Sequence, residues 1–117
     1  MEKGFFKFMQ TMFLNKEILR SFTKIKATSD LDIYVISTLN QQFTLMYFYE
    51  KYIEKPHKHS AQWGIVLEGK MKITINTKIH LLEKGDFYFV PKNVIHFAEI
   101  EKNCITFTIF DEPNRFL

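Results

Sequence analysis

The stretch Pro56-His57-Lys58-His59-Ser60-Ala61-Gln62-Trp63-Gly64-Ile65-Val66-Leu67-Glu68-Gly69 decides the reading of this chain. Two histidines stand one residue apart at its start, and an apolar run leads from them to a Glu-Gly turn signal. In a strand, residues i and i+2 face the same side, about 6.5 Å apart along the backbone. Two imidazoles so placed can share one metal ion, and a third from another strand completes a facial set of ligands. His96 supplies that third ring: it ends the stretch Gly85-Asp86-Phe87-Tyr88-Phe89-Val90-Pro91-Lys92-Asn93-Val94-Ile95-His96. The chain has only four histidines, so three of them in these two stretches form a pattern that needs a cause.

On both sides of the opening stretch the apolar residues recur with a period of two, which is the strand signal. Strands are predicted over residues 31–38, 43–52, 62–67, 70–77, 79–82, 87–90, 94–100 and 104–110, with turns at residues 40–42, 68–69, 84–86 and 91–93. In 43–52, Phe43, Leu45, Tyr47 and Tyr49 share one face while Met46 and Phe48 share the other, so that strand is expected to be covered on both sides. Pro56 ends it. Many short strands with turn signals every eight to twelve residues describe an all-β sandwich or barrel. Residues 1–28 differ. Phe5, Phe6, Phe8, Met9, Met12, Phe13, Ile18, Leu19 and Phe22 recur at near-helical spacing, which predicts an arm or short helix packed on a single barrel domain of residues 29–117.

At 117 residues the chain is long enough for one domain with its own core. Aromatic residues make up 16%, with 13 Phe, so rings fill much of that core. A net charge of +3 without a run of basic residues gives no electrostatic footprint for nucleic acid. No stretch approaches the roughly 18 apolar residues of a membrane span. The single cysteine, Cys104, has no partner for an internal disulfide, which fits a reducing compartment, and no signal peptide is evident; a cytoplasmic location is expected.

The opening stretch resembles the first motif of the cupin superfamily: two histidines one residue apart, an acidic residue or glutamine, six residues and a glycine. Gln62 stands at the acidic position and Gly69 at the glycine. The stretch 85–96 resembles the second motif, with Gly85, Pro91 and His96 in place. Ala61-Gln62-Trp63-Gly64 and Phe110-Asp111-Glu112-Pro113-Asn114-Arg115 look like those of a subgroup of small stand-alone cupins of unassigned activity. The chain departs from the pattern at Gln62, which replaces the usual glutamate. It departs again at Asn93, which replaces a glycine but tolerates the left-handed conformation, and at Ile100, where an asparagine is frequent.

The resemblance implies a cupin-type antiparallel β-barrel, a double-stranded β-helix or jelly roll. It also implies a divalent transition metal (Zn, Fe, Ni or Mn) inside the barrel, held by His57, His59 and His96 with Gln62 as a fourth, weaker ligand. Glutamine brings no charge, so such a metal would stay a strong Lewis acid and favour anionic substrates. Two functions follow as expectations. One is a metal-dependent enzyme on a small oxygen-bearing molecule, of dioxygenase, isomerase or decarboxylase type. The other is a cupin module that binds or senses a small molecule or metal without turnover. The partners expected are a small-molecule ligand or substrate and a second copy of the chain in a homodimer, with no nucleic acid and no membrane. His80 reads as a solvated strand residue, Cys104 as a buried apolar one, and Trp63 as pointing out of the barrel if Gln62 points in. Tyr47 and Tyr49 read as packing residues, and Glu50 and Glu68 as solvated carboxylates.

Overall fold

The structure, a computed structural model, describes residues 21–116. In it the period-two pattern becomes ten strands: β1 (Thr23–Ala27), β2 (Leu31–Ser37), β3 (Gln42–Phe48), β4 (Tyr52–Ile53), β5 (Gln62–Glu68), β6 (Lys70–Ile75), β7 (Lys78–Glu83), β8 (Phe87–Val90), β9 (His96–Ile100) and β10 (Cys104–Phe110). They form a six-stranded sheet in the order β1-β2-β3-β10-β5-β8 and a four-stranded sheet in the order β4-β9-β6-β7. All pairings are antiparallel. The two sheets share one apolar core, in which Leu31, Ile33, Phe48 and Val66 of the first meet Met71, Ile73, Ala98 and Ile100 of the second. This is the all-β jelly roll expected from the sequence. Among the described residues no helix is long and apolar enough to cross a membrane.

Alternation explains which side chains turn inward. In β6, Met71 and Ile73 are buried and Lys72 and Thr74 are not. In β3, Phe48 joins the inter-sheet core, while Leu45 and Tyr47 join a second cluster with Tyr49 and Ile105. That strand is therefore covered on both faces, as its sequence predicts. Tyr49 donates its hydroxyl to Asp32 Oδ2 at 2.6 Å, which fits its reading as a packing residue with a satisfied polar tip.

Several boundaries differ from the sequence reading, four of them with a clear physical cause. Residues 43–52 are not one strand: β3 stops at Phe48 and the chain turns a corner, so that β4 pairs with β9 in the other sheet. Tyr49 N donates to Asp30 O at 2.8 Å and holds that corner. Gln42, predicted in a turn, opens β3 and is fully buried; both ends of its amide are satisfied by the C-terminal segment, so burial carries no penalty for an unpaired group. Residues 70–77 end as a strand at Ile75, because Asn76 takes φ 58° to start the turn into β7. The strand predicted over 94–100 starts only at His96, since Asn93 takes φ 61° and the turn runs up to it. The expected tolerance of Asn93 for the left-handed region is thus used.

The arm or short helix expected over residues 1–28 lies, for residues 1–20, outside the described residues. Its end is a strand that the sequence reading did not anticipate. Residues of β1 pair with β2 from Thr23↔Val35 to Ala27↔Asp32 across a bulge, and Phe22 packs on the Leu45–Tyr47 cluster. The five residues Thr23-Lys24-Ile25-Lys26-Ala27 give too short an alternation to stand out after a helical period.

Candidate metal centre

His57 and His96 are brought together by the backbone itself. They form an isolated antiparallel bridge in which His57 N donates to His96 O at 3.0 Å and His96 N to His57 O at 2.9 Å. Residues paired in this way place their side chains on the same face, about 5 Å apart at Cβ. His59 is fixed by the second turn, where Asn93 N donates to His59 O at 2.9 Å. The three rings meet with centroids 4.3, 4.8 and 5.2 Å apart, and one ligand atom of each lies within 4.8 Å of the others.

The orientation of the rings is set by a repeated device. His57 Nδ1 bonds Lys55 O at 2.8 Å, His59 Nδ1 bonds Ser60 O at 2.7 Å, and His96 Nδ1 bonds Val94 O at 2.9 Å. A carbonyl only accepts, so each Nδ1 must carry the proton and each Nε2 the lone pair. The Nε2 atoms of His59 and His96 are buried and have no hydrogen-bond partner among the described residues. Two buried lone pairs without a donor, beside a third imidazole, are costly unless something binds them. A divalent metal fits that demand. The fixed Nδ1–H bonds are also what orient histidine ligands in known metal sites.

Gln62 is buried at the start of β5. Its Nε2 donates to Tyr88 Oη at 3.2 Å, and its Oε1 is buried without a partner. The neighbouring Trp63 points outward and is 45% exposed, as alternation requires. Gln62 and the histidines His57 and His59 line one small cavity of about 40 Å³, together with Glu54, Tyr88, Thr106, Thr108 and Arg115. Ile100 also lines it, so the asparagine position of the motif is here an apolar wall. A larger concavity of about 550 Å³ lies elsewhere, between Lys51, Lys70, Lys72 and Glu83. It contains none of the histidines, and we place the site in the barrel because the unpartnered imidazoles are there.

Burial first, and then the Arg115 guanidinium and the other two rings, lower the His59 pKa to about 4, although its bond to the Ser60 carbonyl opposes this. Burial lowers His96 as well, helped by His57 and Arg115 and opposed by the Val94 carbonyl. Both are therefore neutral at pH 7, the form that binds metal. The sign of the stability effect follows. In the unfolded chain a histidine titrates near 6.5, so between about pH 6.5 and 4 the unfolded state holds the extra proton. Stability is complete above pH 6.5 and is lost as the pH falls toward 4. Because His59 is only partly buried, we expect the metal-free protein to lose about 1–2 kcal/mol from this residue between pH 7 and pH 5. Denaturant unfolding at the two pH values measures it, and the loss should shrink in His59→Gln. Equal losses in the two proteins would refute it.

Sequence reasoning found the histidines and Gln62 but missed three lining residues. Glu54 accepts a bond from Ala98 N at 3.0 Å, and burial raises its pKa against the lowering effects of His57, the Ala98 amide and Arg115. Tyr88 reaches Gln62 from β8, and Arg115 arrives from the end of the chain. The spacing of Gln62 and Tyr88 carries a weak signal, since their inward parity follows from the β5–β8 register. Nothing local marks Glu54 or Arg115. Glu50, the carboxylate noticed in the sequence, is exposed beside Lys102, and His80 is exposed on β7. Cys104 is completely buried, and burial pushes its thiol up to about 12, which makes it inert.

A protein-family model described as Cupin domain matches residues 49–110. Over 50 residues the chain is 32% identical to the mannose-1-phosphate guanylyltransferase RfbM of Salmonella typhimurium, a match that covers 43% of this chain and 10% of that protein. The chain thus spans about a tenth of that relative. Among solved structures, an RmlC-like cupin from Shewanella frigidimarina superposes with a TM-score of 0.71 at 22% identity, covering 83% of this chain and 88% of that one. A variant of oxalate decarboxylase from Bacillus subtilis gives a TM-score of 0.70 at 16% identity, covering 81% of this chain and 28% of that one. The Bacillus subtilis enzyme has Mn(II) centres. At these identities the structural likeness concerns the fold.

Proposed function

Because the chain belongs to the cupin domain family, matched over residues 49–110, we propose that it binds one divalent transition metal in its barrel and uses it on a small oxygen-bearing molecule. His57, His59 and His96 would hold the metal, with Gln62 Oε1 as a fourth and weaker ligand. The observation that carries the reading is the set of three imidazoles with every Nδ1 tied to a carbonyl and two Nε2 atoms buried without a partner. When bound, the metal supplies Lewis acidity toward an oxygen ligand. The chain's own residues do the rest. Tyr88 fixes the Gln62 amide so that its oxygen faces away from the tyrosine, Glu54 places a carboxyl group at the cavity, and Phe110 and Ile100 give it apolar walls.

The inner cavity of about 40 Å³ favours a second reading, a cupin that binds a metal or small ligand without turnover, since such a space takes little more than an ion and a water. Metal analysis of the untagged protein tests what both readings share. Close to one divalent metal per chain is expected, and a protein that stays metal-free after reloading overturns the assignment. Oxygen uptake and product analysis then separate turnover from binding.

We also propose the homodimer expected from the sequence. The support is an aromatic strip on β5 and β8: Trp63 and Phe89 meet as tilted rings with centroids 5.1 Å apart, Phe87 is 77% exposed, and β8 is an edge of its sheet. A second copy buries both the strip and the edge. Light scattering should give twice the chain mass, falling to one in Trp63→Ser with Phe87→Ser; a monomeric wild type sinks the idea.

A further inference from the structure

A second concavity of about 400 Å³ opens at the mouth of the barrel, against the end of the core between the sheets, and shares part of its wall with the inner cavity. Its apolar lining includes Leu31, Ile33, Met46, Phe48, Tyr52 and Phe116. Its polar lining is Glu54, Lys55, His57 and Arg115. Met46, Phe48, Glu54, His57, Arg115 and Phe116 border both spaces, so the groove reaches His57 directly and the C-terminal segment forms part of the shared wall.

That segment is held in place by specific bonds. Asp111 N donates to Ala61 O at 2.9 Å and Ser60 Oγ to Glu112 Oε1 at 2.8 Å. The carbonyl of Pro113 accepts from Ser37 Oγ at 2.9 Å and from Gln42 Nε2 at 3.0 Å. Phe116 N donates to Gln42 Oε1 at 2.9 Å. The fully buried Gln42 therefore spends both ends of its amide on the segment and acts as its latch. The latch delivers Arg115, whose guanidinium lies over Phe110 at 5.7 Å and Phe116 at 4.8 Å. Arg115 Nε is buried and has no hydrogen-bond partner, and no ion pair of Arg115 forms among the described residues. An arginine stacked on rings and engaged in no ion pair can offer its terminal Nη groups to a planar two-oxygen acceptor.

We propose that the groove binds an organic acid with an apolar body: its carboxylate on Arg115, its body on Met46, Phe48 and Tyr52, and its head beside His57. Two cationic side chains, Lys55 and Arg115, face one carboxylate, Glu54, so the polar end of the groove favours an anion. The apolar walls leave a polyol without partners. This names a substrate class for the site proposed above and rests on that reading only for the role of the metal; the contact between arginine and carboxylate stands without it.

The test is calorimetric titration of the chelator-treated and the metal-loaded protein with benzoate, benzyl alcohol and formate. Benzoate should bind both forms. Benzyl alcohol, which lacks the charge, and formate, which lacks the body, should each bind at least about tenfold more weakly. Arg115→Gln should weaken benzoate by about ten- to a hundredfold with metal content unchanged. Gln42→Met, which unlatches the segment without touching the groove, should weaken it as well, and serves if the arginine variant does not fold. Benzoate that fails to bind, that binds no better than benzyl alcohol, or that binds Arg115→Gln as well as wild type overturns the proposal. Benzoate binding in a protein that takes up no metal removes the metal reading and keeps this one.

Discussion

Replacing His57 or His96 by Ala abolishes metal binding, and replacing Gln62 by Ala only weakens it: this is the largest effect expected at the site. The two histidines occupy facing positions of one backbone bridge, so neither can be replaced by a shift of the other. Each brings an Nε2 lone pair that its Nδ1–carbonyl bond has already aimed. Losing one of three imidazoles leaves two neutral donors and a glutamine carbonyl, a weak set for a first-row metal. Gln62 differs because a neutral amide oxygen is a poor ligand and its place is easily taken by water. Metal content by elemental analysis after equilibration with excess metal reads these variants. We expect below about a tenth of wild-type occupancy for His57→Ala and His96→Ala, since losing a ligand outright should exceed the 10–100-fold cost of changing a group that only orients a ligand. For Gln62→Ala we expect most of the wild-type occupancy under the same excess of metal, with the affinity lowered by no more than about 10-fold. Full occupancy in His96→Ala would end the three-histidine assignment, and a Gln62→Ala loss equal to that of the histidines would make Gln62 a full ligand.

Gly64→Ala should have the largest effect on the fold and should damage the centre as well. Gly64 is buried in β5, and a Cβ built on it lies 2.2 Å from two ring carbons of Tyr88 and 2.5 Å from its hydroxyl. Tyr88 packs on the inter-sheet core and takes the bond from Gln62 Nε2, so its ring cannot move without releasing that amide. Overpacking typically costs about 1–3 kcal/mol, and the lost hydrogen bond adds about 1 kcal/mol. We therefore expect about 2–4 kcal/mol of destabilisation by denaturant unfolding, with weaker metal retention. The pair couples directly, so Gly64→Ala should cost much less in a Tyr88→Ala background. Independent, additive effects would show that the clash is absorbed elsewhere. Gly69→Ala combines two faults, φ +85° and a Cβ 2.8 Å from the Cys104 backbone, but it lies at a turn away from the histidines. It should lower stability and leave metal stoichiometry unchanged.

Much of this was legible in the sequence because it depends on interactions a few residues long. Period-two alternation in Lys70–Ile75 or Cys104–Phe110 sets which side chains turn inward whatever the rest of the chain does. The glycines at 69 and 85 and the asparagine at 93 mark turns because only such residues reach positive φ cheaply. With His57, His59 and His96 placed against those turns, the fold class and the three imidazoles could be read directly. The corner after Phe48 could not, since alternation is the same for one long strand and for two that change sheets.

The sequence by itself therefore determined an all-β chain, the left-handed turns at 69, 85 and 93, and three histidines spaced so that they could share one metal ion; the bridge that brings His57 to His96 came from the tertiary structure. Only the tertiary structure decided what surrounds them. Glu54 meets Ala98 because β4 crosses to the second sheet, Tyr88 meets Gln62 because β8 pairs with β5, and Arg115 reaches the barrel mouth because Gln42 latches the end of the chain. Each of these contacts joins residues that no local period or turn preference relates. They exist only once both sheets have closed on the common core, and they determine the charge, size and access of the space in front of the histidines.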